Sequence, residues 1–224
     1  MIMMHTLVLL LFAASAAAAA SQPLPRYPPG LQGIKQADGH VVVAVTVLQD
    51  GSVQDCLALE ASSQEFADAA MRAVRGWTFE LPGDAPPVLS LPRREVQQFE
   101  FRRNGAVSVL EHRAAAAEAF DLAREDAAFR TVQWESLDTP PRRLSGGMPR
   151  LAAAQASLLR QAPVIVSFVI DIDGRARLGT VAADVPAELA AALLAAVADW
   201  RYESTRIDGR PVLVQATTRF GASH

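Results

Sequence analysis

A block of forty residues occurs twice in this 224-residue chain, with its landmarks at one constant spacing. The first, His40 to Phe79, reads HVVVAVTVLQDGSVQDCLALEASSQEFADAAMRAVRGWTF; the second, Pro163 to Tyr202, reads PVIVSFVIDIDGRARLGTVAADVPAELAAALLAAVADWRY. Gly51 and Gly174 lie 174 − 51 = 123 positions apart, as do Trp77 and Trp200. Under that shift Val43, Val45 and Val47 fall on Val166, Phe168 and Ile170, and Phe79 falls on Tyr202. Phe66, Ala69, Ala73 and Val74 fall on Leu189, Ala192, Ala196 and Val197. A shared turn alone means little. A shared turn, helix face and Trp-x-aromatic pair without a gap implies duplication, and a period this long implies two domains, not a solenoid.

Each block carries the same local signals. Asp50-Gly51 sits between two runs of β-forming residues and accepts the positive φ of a tight hairpin turn. After the Ser62-Ser63 break, Phe66, Ala69, Ala70, Ala73 and Val74 share one helical face. Glu65, Asp68, Arg72 and Arg75 fall largely on the other, the pattern of a helix lying on a sheet. Gly76 ends the helix, and Trp77 and Phe79 alternate around Thr78 as a new strand start would. The expected class is α+β, with each copy a small antiparallel sheet bearing one helix.

The order Tyr27-Pro28, Gly39-x-Val-x-Val, Asp50-Gly51, Ser62-Ser63, Ala69-Ala70 and Trp77-x-Phe79 resembles the C-terminal domain of TonB-type energy transducers. Pro87-Val88 and a strand ending Phe99-x-Phe101 continue the likeness. The second copy resembles the same domain through Met148-Pro149, with Met148 expected in the place of Tyr27, and through Asp173-Gly174, Trp200-x-Tyr202, Asp208-Gly209-x-Pro211-Val212 and Phe220. Two tandem TonB-C-like domains are therefore expected, at 21–103 and 146–224.

The segments between and before them read differently. Residues 1–20 read as a signal peptide: Leu7 to Phe12 is an apolar core, and Ala18-Ala19-Ala20 before Ser21 suits a signal peptidase. No Lys or Arg precedes the apolar run, so an uncleaved membrane anchor is the alternative. Gln22 to Gly33 is a Pro-rich lead-in. Leu81 to Pro87 carries three prolines and a glycine, which makes it a loop. Val96 to Phe101 is a strand and Asn104-Gly105 a turn. Residues 104–145 are expected to be a helical linker, with Phe120, Ala123, Ala127 and Ala128 at helical spacing from Glu111 to Phe129. Leu151 to Leu159 reads as a short helix or irregular lead-in.

Chemistry-bearing motifs do not emerge. G-x-S-x-G, H-E-x-x-H, C-x-x-C and phosphate-binding glycine loops are all missing from the sequence. The histidines His5, His40, His112 and His224 are scattered, and Glu111-His112 has no companion at a ligand spacing. Asp171-x-Asp173-Gly174 is followed by Arg175-Ala176-Arg177, so it reads as a hairpin turn, not a calcium loop. Cys56 is the only cysteine, which excludes an intrachain disulfide, and it reads as a packed small hydrophobe. A formal net charge of −3 argues against nucleic acid as a partner. No catalytic residue, metal site or cofactor is expected.

Binding is the function left. A sheet with few strands presents an edge whose N–H and C=O groups can take another chain's strand. The resemblance implies that an N-terminal peptide of an outer-membrane transporter pairs with the last strand of the domain. That role would fall on Arg94, Val96, Gln98, Phe99 and Phe101 in copy one, and on Val212, Val214, Thr217 and Phe220 in copy two. The resemblance also sets Gln22-Pro23 and Tyr27-Pro28 near such an edge. The first reading is a periplasmic module that binds an envelope protein or peptide, touching membrane only if residues 1–20 are retained. The second is an energy transducer anchored by that segment, and the third an uncharacterised enzyme.

Overall fold

The structure, a computed structural model, describes residues 21–31, 37–80, 93–110, 127–182 and 184–221. The expected signal segment, the loop at 81–87, Glu111-His112 and most of the expected helix at 111–129 lie outside these residues.

The first half is built on a hairpin of β1 (Gly39–Val47) and β2 (Val53–Ala61). Its turn is closed by Leu48 N–H donating to Ser52 O (2.8 Å) and Gly51 N–H donating to Leu48 O (3.1 Å). Gly51 sits at φ +81°, and a Cβ there would lie 2.3 Å from the carbonyl oxygen of Phe79. Both the turn and the close approach therefore require glycine. Helix α1 (Gln64–Val74) begins at Ser63, whose hydroxyl accepts from Phe66 N–H at 3.4 Å. Such a cap satisfies one of the orphan donors of the first turn. The helix buries Phe66, Ala67, Ala69, Ala70 and Val74. Strand β3 (Arg93–Phe101) then runs antiparallel along all of β1, and the turn at Asn104-Gly105 returns the chain as β4 (Val107–Leu110). The sheet order is β2-β1-β3-β4.

The second half opens with β5 (Arg130–Gln133), a single 3-10 turn at Trp134–Ser136 and β6 (Arg143–Ser145). Helix α2 (Ala153–Gln161) leads into β7 (Val164–Ile170) and β8 (Ala176–Val181), followed by α3 (Ala187–Ala198) and β9 (Arg201–Tyr202). A hairpin of β10 (Thr205–Ile207) and β11 (Arg210–Phe220) closes the described chain. The sheet order is β10-β11-β7-β8, with β5 added to β11, while β6 pairs with β9.

The 123-residue shift carries over to individual hydrogen bonds. Asp171 N–H donates to Arg175 O (2.9 Å) and Gly174 N–H to Asp171 O (2.9 Å), as at Leu48–Ser52. Phe79 N–H donates to Gly51 O (2.9 Å), and Tyr202 N–H donates to Gly174 O (2.7 Å). The Trp77 indole donates to Pro23 O (2.9 Å), and the Trp200 indole to Gly147 O (2.9 Å).

Strand β1 is buried on both faces, which decides how the halves meet. Gly39, Val41, Val43, Val45 and Val47 face α1, with Gly39 pressed against the Phe66 ring. Val42, Ala44 and Thr46 point the other way and are buried too. Val169, Leu178 and Leu213 of the second half join the same continuous apolar cluster as the first half's core. Val166, Phe168 and Ile170, on the opposite face of β7, pack instead with Leu189, Leu193 and Val197 of α3. The two sheets thus stack face to face, with α1 and α3 outside. Each fully buried aliphatic side chain in that seam contributes about 1.5–3 kcal/mol.

Polar groups pin the seam in register. The Arg177 guanidinium donates to Asp55 (Nε to Oδ2, 2.9 Å), to Cys56 O (3.3 Å) and to Asp171 Oδ2 (3.4 Å). Its hydrogen bond to Asp55 holds Arg177 above its ordinary pKa. Arg94 donates to Leu178 O, and the Thr131 hydroxyl donates to Leu59 O at 2.8 Å.

Three expectations are corrected. The described parts of 104–145 are not helical: they hold β4, β5, a 3-10 turn and β6. Phe129 and Thr131 are buried while Arg130 is exposed, a two-residue period that pairing with β11 imposes over the helical spacing of the alanines. Thr78 makes only isolated bridges, to Ser21 and Ser52, so no strand starts at Trp77-x-Phe79. Finally, Met148 does not replace Tyr27. The indole acceptors Pro23 and Gly147 set Leu24-Pro25-Arg26-Tyr27 opposite Met148-Pro149-Arg150-Leu151. Leu24 and Met148 are both exposed in that register, and Leu151 packs on the second core.

Candidate functional site: the strand edges

The residues selected from sequence fall on two strands in two separate sheets. On β3, Phe99 and Phe101 are core side chains: Phe99 stacks edge-on to Trp77 (5.6 Å) and Phe101 against Phe66 (4.8 Å). Val96 packs at the margin of the first core. Arg94 is turned toward the second half, where burial holds its guanidinium below the ordinary pKa. Any recognition here rests on backbone groups, not on these side chains.

The two edges of β3 differ. Its inner edge is paired with β1 from Arg93 to Phe101. Its outer edge is paired with β4 from Gln98 to Phe101, so Gln98 has strands on both sides. Among the described residues, no strand pairs with the outer edge from Arg93 to Gln97. Arg93 and Glu95 form an ion pair on this strand (3.1 Å).

Strand β11 divides in the same manner. Val214 to Phe220 pairs antiparallel with β7, and Val212 to Gln215 pairs in parallel with β5. Val212, Val214 and Phe220 are buried in the cores, whereas Thr217 is exposed. Among the described residues, β5 is the only strand beside the β11 edge opposite β7, and it stops at Gln215.

The lead-in is docked rather than loose. The Tyr27 hydroxyl donates to Ala37 O (2.7 Å) and accepts from Ala37 N–H (3.1 Å), while its ring meets Phe66 edge-on at 5.6 Å. Pro28 is buried; Gln22 and Pro23 are exposed, with Pro23 O holding the Trp77 indole. This lead-in packs on Trp77, on Phe66 of α1 and on the Phe101 ring of β3 (6.5 Å).

The remaining candidates are structural. Asp171 accepts backbone N–H groups from Asp173 (3.0 Å) and Arg175 (2.8 Å), as Asp50 does from Ser52 (2.9 Å), so both are turn-forming carboxylates. Cys56 is buried with its Sγ 3.8 Å from Met71 O, and burial pushes its thiol pKa up, the opposite of a reactive thiolate. His40 and Glu60 form a buried pair at 2.8 Å. Among the described residues, no three His, Cys, Asp or Glu side chains gather as metal ligands.

Sequence reasoning missed β4 and β5, the strands that occupy these edges. The signal for β4 was Val107-Ser108-Val109 alternating after Asn104-Gly105. The signal for β5 was the polar-apolar alternation Thr131-Val132-Gln133-Trp134.

Residues 23–89 match the family described as Gram-negative bacterial TonB protein C-terminal, which supports that family for the first half. The match takes in β1, β2, α1 and Trp77, and it ends before β3. No curated protein matches the chain. The family match, with an α+β architecture compatible with it, suggests a TonB-like, envelope-transport-related module. Among the described residues, no helix is long and apolar enough to cross a membrane.

Proposed function

We propose that the chain is a periplasmic protein-binding module, not an enzyme, which takes an extended segment of an envelope partner by strand addition. An outer-membrane transporter is the partner class that the family suggests. The receptor is the outer edge of β3 at Arg93–Gln97, and the second half is a diverged second copy of the same domain. One observation carries the reading: in the half that contains the family match, β3 has an outer edge with no strand partner over Arg93–Gln97 among the described residues. Main-chain groups on such an edge supply affinity to any extended segment. The equivalent turn and indole hydrogen bonds support the second copy.

Proline tests the edge. Adjacent N–H groups of a strand point to opposite edges, so of Glu95→Pro and Val96→Pro one breaks the β1 ladder and the other removes only an outer donor. The variant that stays folded by circular dichroism is expected to lose partner capture from envelope extract. Undiminished capture by that folded variant would refute the site. Intact-mass analysis of the exported protein is expected to show Ser21 at its start. Retention of Met1 would favour the anchored transducer instead.

A further inference from the structure

Strand β5 reaches β11 in a way that no local turn dictates. Adjacent strands joined by a hairpin are antiparallel, whereas β5 lies parallel to a strand some eighty residues later in the chain. Its register sets Arg130, Thr131, Val132 and Gln133 beside Val212, Leu213, Val214 and Gln215. Side chains of paired residues share a face, so Val132 joins Val214 at the second core. Thr131 joins Leu213 on the seam side, where its hydroxyl bonds Leu59 O (2.8 Å). Just before it, Ala61 N–H donates to Phe129 O (3.3 Å) and Ala128 N–H donates to Ala61 O (2.8 Å). Trp134 follows, edge-on to Tyr202 at 6.3 Å. One short extended segment thus ties the end of β2 to the flank of β11, with alternate side chains seated in each half.

We propose that residues 128–134 are the second half's own strand ligand, filling in cis the β11 edge at which a partner strand would add. This rests on the strand-addition reading and deepens it. While β5 is seated, the edge of β11 at Val212–Gln215 is closed to a partner strand, whereas the edge of β3 at Arg93–Gln97 has no strand beside it among the described residues. A segment able to displace β5 pairs in parallel with Val212–Gln215, with an aliphatic residue in Val132's position and a small hydroxyl residue in Thr131's.

The probe is a labelled synthetic peptide of residues 127–137, AAFRTVQWESL. The full-length mature protein is expected not to bind it at about 100 µM, because an intramolecular strand is present at millimolar effective concentration. Val132→Pro, which unseats β5, is expected to bind it. Hydrogen exchange at Val212–Gln215 should be slow in the unaltered protein, fast in the variant and slow again with peptide. Equal peptide binding by both proteins, none by the folded variant, or unchanged exchange at Val212–Gln215 would overturn the proposal. Should Val132→Pro not fold, Thr131→Val carries the test, since it deletes only the hydroxyl bond to Leu59 O. Exchange about three- to tenfold faster, confined to 128–133 and 212–215, is then expected. No change, or a uniform rise through both sheets, would overturn it. These variants leave β3 untouched, so this idea and the β3 assignment can fail separately.

Discussion

Gly51→Ala and Gly174→Ala should be costly to a similar degree, and the structure says by how much. The two glycines sit at φ +81° and +80°, where an L side chain costs about 1–2 kcal/mol. A Cβ would also fall 2.3 Å from Phe79 O in one turn and 2.0 Å from Tyr202 O in the other. Those contacts are with backbone, which cannot swing aside as a flexible side chain does. Moving it strains the bonds from Phe79 N–H to Gly51 O (2.9 Å) and from Tyr202 N–H to Gly174 O (2.7 Å). Each such bond has a net worth of about 1 kcal/mol. The sum is about 2–3 kcal/mol per variant. Gly105 supplies the control: φ is +87°, yet nothing lies within 4 Å of its added Cβ, so Gly105→Ala should cost only about 1–2 kcal/mol. Urea denaturation, followed by tryptophan fluorescence and circular dichroism, measures all three. If Gly51→Ala and Gly174→Ala cost no more than Gly105→Ala, the close approach of turn and aromatic segment is refuted in both halves.

Two further outcomes follow from the cores and the seam. Trp77→Ala should lose about 3–5 kcal/mol in chemical denaturation, because a side chain 2% exposed leaves a cavity and Pro23 O loses its donor; a loss under about 1 kcal/mol would remove Trp77 from the core. Arg177→Met should destabilise by about 1–3 kcal/mol, since Asp55 and Cys56 O lose their donor across the seam while Asp171 keeps its turn bonds. A double-mutant cycle with Asp55→Asn should show coupling, and strictly additive losses would sink the cross-half contact.

Much of each half was legible because its signals are local. Asp-Gly turns, the Ser62-Ser63 break, the apolar face of α1 and the Trp-x-aromatic pair act within a few residues of themselves. Their order recurs in the sequence at a constant shift of 123 positions. The described end of the linker departs from its helical expectation for the same reason. From Ala127 to Val132 a weak helical spacing competes with a weak alternation, and only β11, far along the chain, decides between them. The lead-in alignment failed on a smaller scale. Met148-Pro149 looks like Tyr27-Pro28 in isolation, but the Trp200 indole bonding Gly147 O sets it opposite Leu24-Pro25.

The packing is consistent with the proposal that this chain meets a partner at its strand edges. One face of the first sheet lies under α1 and Tyr27, and its other face under Val169, Leu178 and Leu213. One face of the second sheet lies under α3. The strands in between offer main-chain groups only at their flanks, and the chain has put its own segments on two of those flanks. An uncovered flank invites pairing with any extended chain, and proteins limit that hazard with short exposure and charge. At β3 the stretch beyond β4 is five residues long and begins Arg93-Arg94-Glu95, with Arg93 and Glu95 ion-paired. Such a flank discourages apolar self-association while leaving its hydrogen-bonding groups for a segment that brings its own complementary strand. At β11 the flank carries no comparable charge at Val212-Leu213-Val214, and there the protein seats β5 instead.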